Sequence, residues 1–135
     1  MSYKLPPVTH GVFLSTQTQT YSGSTTGQTI TFTDAVDAES GMSLSGSTKM
    51  VVTSTGDYQF ITSIIIDQGS GTNETYEIWF RKNGVDVALS NTRTVNATAT
   101  TEQVISVPMI LDLVANDYVE LRWFCTTATG TLKST

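Results

Sequence analysis

His10 is the single histidine of this 135-residue chain and Cys125 its single cysteine, so a Ser-His or Cys-His nucleophilic arrangement would have to run through them. No nucleophile-elbow motif accompanies either. His10 follows a proline-containing stretch and reads as a solvated histidine. Cys125 ends an alternating apolar segment beside Phe124 and reads as a small buried hydrophobe. Asp34, Asp37 and Glu39 put hard oxygen donors in one loop, chemistry that suits Ca²⁺. Ala35, Val36 and Ala38 interleave them and the EF-hand pattern is missing, so the reading is a solvated acidic loop. Asp67, Asp86 and Asp112 are scattered turn or surface residues, while Asp57 and Asp117 are placed to accept hydrogen bonds within their own turns. Tyr21, Trp79 and Trp123 would stack on sugar rings if they shared a surface. Trp123 follows the alternation of Val119 and Leu121 into the core, which leaves Trp79 as a candidate ligand or interface aromatic. A glycan hydrolase requires carboxylates paired across a cleft, and charged residues make up only 14% of the chain. The expectation is no catalytic residue, no metal and no cofactor: not an enzyme.

Bulk composition narrows the partners. Net charge is −5 with seven Lys and Arg, which disfavours nucleic acid, whose phosphates call for a basic stripe, and an anionic membrane surface. One cysteine permits no intrachain disulfide. No run of about 18 apolar residues exists to span a membrane as a helix. Met1-Ser-Tyr-Lys-Leu-Pro-Pro7 lacks the apolar centre of a signal peptide, so synthesis in a cytoplasm is expected. Asn73-Glu-Thr and Asn96-Ala-Thr then read as chance glycosylation matches in a Thr-rich chain. Charge is scarce against the usual share of about 25%, and Thr and Ser take its place, which suits pleated sheet with a neutral polar exterior.

The elements that must position these residues read as strands. Thr53–Ile66 opens on a Gly56-Asp57 turn, then sets Tyr58, Phe60, Thr62 and Ile64 on one side and Gln59, Ile61, Ser63 and Ile65 on the other. It is expected to be a central strand. Gly11–Tyr21, Thr29–Thr33 and Glu74–Lys82 also alternate. Asn83-Gly84 is a type I′ hairpin signal with Val85–Thr94 as the returning strand. Glu102–Leu113 carries Pro108, which belongs at an edge or bulge because it cannot donate to a ladder. Tyr118–Cys125 puts Val119, Leu121 and Trp123 on one face. Asp34–Ser47 reads as a loop with a short strand near Met42–Leu44. About eight short strands, with no helical period of useful length, predict an all-β, two-sheet antiparallel sandwich or jelly roll. The expected organisation is an N-terminal arm, 1–10, and one body, 11–135. Leu5, Pro6, Pro7 and Val8 are the arm's anchoring residues, Pro6 and Pro7 holding it extended.

Three segments carry a family likeness: Ser54-Thr-Gly-Asp-Tyr-Gln-Phe60, Ile78-Trp-Phe-Arg-Lys-Asn-Gly84 and Leu111-Asp-Leu-Val-Ala-Asn-Asp-Tyr-Val-Glu-Leu121. In this order and at this spacing the chain resembles the complement-type globular head and tumour-necrosis-factor-like jelly rolls, over roughly residues 28–133. Such patterns are frequent in bacteriophage and viral surface proteins. Asn116 stands where that family usually has Gly before its Asp. Gly130-Thr-Leu-Lys133 substitutes poorly for the family's aromatic last strand, which leaves that strand short or the core completed by a partner chain.

The resemblance implies a jelly-roll homotrimer. Phe13, Trp79 and Phe124 fall opposite the main apolar set of their strands and are the trimer-interface candidates, a subunit being the expected cover and an overhanging loop or a shifted register the alternative. The functional expectation is a non-enzymatic virion structural protein, decorating a bacteriophage capsid or heading a fibre. It would be assembled in the host cytoplasm, displayed on the virion surface, and partnered by other virion proteins and a host glycan or receptor. The rival reading is a soluble trimeric ligand or adhesin that binds a receptor or glycan.

Overall fold

A computed structural model describes residues 8–36, 40–67, 73–97 and 101–134. Among these the fold is antiparallel sheet with no helix. Two long strands form its spine: β9 (Glu74–Lys82) and β14 (Tyr118–Cys125), registered from Val119 opposite Lys82 to Cys125 opposite Tyr76. Their alternation places Tyr76, Ile78, Phe80, Val119, Leu121, Trp123 and Cys125 inward, none more than 2% exposed. β6 (Lys49–Val52) pairs with the start of β14, and β5 (Met42–Ser45) pairs with β6. β3 (Gln28–Thr29) pairs further along β14, and β10 (Val85–Asp86) and β11 (Thr92–Asn96) share the other side of β9. The Asn83-Gly84 turn has positive φ at both positions, 48° and 81°, as a two-residue hairpin requires.

A second, four-stranded sheet runs β12 (Gln103–Ser106), β8 (Ser63–Asp67), β15 (Thr131–Lys133), β2 (Gln19–Thr20). Its inward residues Ile66, Ile105 and Leu132 join those of the first sheet in one core. Two ribbons complete the molecule: β7 (Gly56–Phe60) with β13 (Met109–Leu113), and β1 (Val12–Leu14) with β4 (Asp34–Val36). The β7–β13 and β8–β12 pairs hold one register, and Val107 N–H donates to Thr62 O at 3.0 Å between them. They are therefore one long ribbon interrupted opposite Pro108. In that register Pro108 faces Ile61 in a non-hydrogen-bonded pair, so its missing N–H falls on the outer edge, where it costs no ladder bond.

Several expectations need correction. The stretch Thr53–Ile66 is two strands; Gly56 lies within β7, the bend coming earlier at residues 53–54. Among the described strands only its second half is central, since β8 has two neighbours and β7 one. Gly11–Tyr21 divides into β1 and β2. In β1 it is Phe13 that faces in, 6.0 Å from the Phe32 ring, while Val12 and Leu14 are each 45% exposed. A larger aromatic gains more from burial than its aliphatic neighbours, and the separate β1–β4 ribbon is free to take that face. Asp34–Ser47 is less loop than expected, containing β4 and β5, and the strand expected after Gly84 splits around a turn at Leu89 (φ 62°).

The Ala115-Asn116 turn matches the reading of Asn as a left-handed residue, with φ 73°. Asp117 organises it. Its carboxylate accepts from Asn83 Nδ2 at 2.7 Å and from Val114 N–H at 2.9 Å, with Lys82 Nζ at 3.3 Å. The Asn83 hydrogen bond first, then the Val114 amide, holds the carboxyl below its ordinary range. A depressed folded-state pKa contributes stability above the unfolded value and loses it as pH falls through the folded one. The melting temperature of the chain should therefore drop as pH falls below about 3.9, by more than in an Asp117→Asn variant scanned alongside. Parallel pH profiles would refute this.

Candidate interaction surfaces

The outer face of the β7–β8/β12–β13 ribbon carries an apolar stripe. Ile61 is 76% exposed, Ile110 66% and Val104 68%, and Ile65, opposite Val104, is half-buried on the same side. Period-2 alternation dictates this: Tyr58, Phe60 and Ile105 point into the core, so Gln59, Ile61 and Val104 must point out. Ile110 sits opposite Gln59, one rung from Ile61 opposite Pro108, and the exposed Ser63–Ser106 pair separates these from Ile65 and Val104.

Beside the ribbon lies an open groove of about 970 Å³. Residues 8–15 and 54–65 line it together with core residues Ile30, Met42, Met50 and Leu121. Among the described residues β13 is the only strand paired with β7, whose other edge borders this groove.

On the first sheet, Trp79 is 8% exposed without any second subunit. Arg122, directly opposite it, donates to Thr26 O at 3.1 Å, Gly27 O at 2.9 Å and Thr29 Oγ1 at 2.7 Å. This fastens the segment containing Gly27 against the Trp79 ring. Phe124 is half-buried, its ring 5.6 Å from that of Tyr21. Of the three aromatics proposed for an interface, Trp79 is thus dry under the chain's own loop, and Phe13 and Phe124 keep partial exposure. With Tyr21 at 2% and Trp123 at 0%, none of the three rings considered for sugar stacking presents an open surface. The 350 Å³ hollow beside Trp79, walled by Glu77 and Asp86, already has those carboxylates engaged by Arg93 and Arg81.

Among the described residues His10, Cys125 and Asp34 are not brought into one cluster. His10 is exposed, its Nδ1 3.0 Å from Val8 O. Cys125 is buried at 2%. It shares its surroundings with Glu74, a fully buried acid at the start of β9 that the sequence reading did not single out. Glu74 accepts from the hydroxyls of Thr127, Thr129 at 3.1 Å and Tyr76 at 3.3 Å. Tyr76 also donates to Asp67 O at 2.6 Å, and burial pushes its phenol well above the ordinary range. A carboxylate enclosed by hydroxyl donors, with no path to solvent, clamps the 126–131 turn onto β9. Of the acidic loop, Asp34 is exposed, while Asp37 and Glu39 lie outside the described residues, as do Leu5, Pro6 and Pro7 of the arm; Val8 is 79% exposed. Among the described residues no three His, Cys, Asp or Glu side chains converge to hold a metal. No protein-family model and no curated protein matches the chain.

Proposed function

We propose that this chain is a non-enzymatic, self-associating structural module, a jelly-roll sandwich that trimerises and serves on a virion surface as a capsid-decoration or fibre-head protein. The observation that carries self-association is the set of exposed aliphatics Ile110, Ile61 and Val104 on the outer face of the ribbon. Large aliphatic side chains two-thirds or more exposed, in line on one sheet face, are worth about 1.5–3 kcal/mol each when covered. The strand orders support the jelly roll. One sheet runs β5, β6, β14, β9 with β10 and β11 at its margin, and the other runs β12, β8, β15, β2, with inward residues meeting in a common core. The absence of a convergent acid-base pair among the described residues and the sparse charge support a binding rather than catalytic role. The virion assignment rests on the resemblance of the three segments quoted above.

Light scattering on the purified chain at micromolar concentration tests it. The expected mass is three times the 14.6 kDa of one chain; a single-chain mass across the concentration range would remove the assembly and the structural role built on it.

A further inference from the structure

The hollow on the outer face of the first sheet measures about 350 Å³, at the small end of the roughly 300–1,000 Å³ that small-molecule sites occupy. Arg122 ties the backbone of Thr26 and Gly27 down beside Trp79, which brings Thr25 and Thr26 to its rim. Phe124, half-buried and directly opposite Glu77 in the ladder, gives it an apolar side. The polar lining is rich in acceptors. Glu77 accepts from Asn91 Nδ2 at 2.5 Å and from Arg93 at 3.0 Å, and Asp86 Oδ1 accepts from Arg81 Nε at 2.8 Å. The Arg81 hydrogen bond holds the Asp86 carboxyl below its ordinary range. Asp86 keeps 55% of its side chain exposed, so its second oxygen is open to a ligand. Trp79 lines the same hollow at 8% exposure, and its indole N–H points toward Asp86 yet closes no hydrogen bond among the described residues. A buried donor left open calls for a partner.

We propose that this hollow binds one ring of a neutral sugar, with a ring hydroxyl donating to the open oxygen of Asp86. The charge count selects a neutral ligand. Glu77 and Asp86 are each already paired with an arginine, so a free cation would have to displace a guanidinium, and an anion would meet two carboxylates. A hydroxyl does neither. It donates to a carboxylate whose charge stays balanced, a bond roughly twice as strong as one between neutral groups. Asn91 gives one Nδ2 proton to Glu77 and has a second to offer, so a neighbouring hydroxyl finds a donor beside the acceptors. The C–H side of the sugar ring packs against Phe124, and no open-faced tryptophan is needed. The whole site belongs to one chain. It lies on the outer face of the first sheet and not on the ribbon face proposed to self-associate, so it stands whether or not the chain trimerises.

The test is a titration of the nitrogen-labelled chain with galactose, glucose, mannose and N-acetylglucosamine, followed by proton–nitrogen correlation spectra. At least one sugar is expected to shift the amides of Thr26 and Gly27, the Trp79 indole and the Asn91 side chain together, saturating in the millimolar range. Asp86→Asn keeps an oxygen for Arg81 and turns the other acceptor into a donor. It should weaken that sugar at least about tenfold, with little change in melting temperature because the Arg81 pair is exposed. Glu102→Gln removes the same charge beside the second sheet and should leave binding unchanged. The proposal is overturned if no sugar moves these four resonances, if the shifts map elsewhere, or if Asp86→Asn binds like the parent. Ethanolammonium or calcium chloride shifting them where the sugars do not would make the hollow a cation site and overturn it as well. The mass from light scattering is read separately, so a failure here leaves the assembly standing, and a single-chain mass leaves this site standing.

Discussion

Gly27→Ala is expected to destabilise the chain by roughly 2–5 kcal/mol, combining left-handed backbone strain with overpacking. Gly27 has φ 79°, a conformation that favours glycine. A methyl there would lie 2.9 Å from Trp123 O and 3.0 Å from Trp79 Cζ2, with Cη2 of the same ring closer still. The backbone oxygen belongs to the middle of β14 and cannot yield. The Trp79 ring sits against its own sheet and has little room. The segment would have to lift, breaking the Arg122 bonds to Thr26 O and Gly27 O and stranding a guanidinium whose pKa burial already lowers. Against a total stability on the order of 5–15 kcal/mol, that loss is a large fraction. Thermal unfolding followed by Trp fluorescence reads it directly, and the folded variant should show a more solvated Trp79. A melting temperature within a degree of the parent would show that the loop is not fastened as described.

Ile61→Asp combined with Ile110→Asp is expected to convert the proposed trimer to single chains. The two side chains are 76% and 66% exposed in one chain, so neither charge disturbs the core, and the isolated fold should keep its far-ultraviolet circular dichroism. In an assembled state the same positions would bury two carboxylates per chain against apolar neighbours, a cost of several kcal/mol for each uncompensated charge. Light scattering should then give one-chain mass at concentrations where the parent gives the proposed three-chain mass. The parent's melting temperature should rise with concentration while the variant's does not. Retention of the three-chain mass would move the interface off this face, leaving half-exposed Phe13 and Phe124 as the next aromatic surfaces to substitute.

Period-2 alternation made the long strands legible from residues alone. Tyr76, Ile78 and Phe80, and Val119, Leu121 and Trp123, declare their inward face because side-chain direction along a strand is set locally. The turns at Asn83-Gly84 and Asn116 were legible for the same reason, few residues tolerating positive φ. What needed the tertiary structure was everything that depends on which strand lies beside which. Trp79 looked like a residue in want of a partner subunit. Its cover comes from a segment some fifty positions earlier, fastened by Arg122 across a register that no local pattern encodes. Glu74, which opens an alternating strand, is sealed by hydroxyls from a turn more than fifty residues on. β15 pairs with β8 and β2 and does not extend along β7, which among the described residues leaves β7 with β13 as its partner. Local sterics fix conformation and facing, whereas pairing across the chain fixes which faces and edges are left for other molecules.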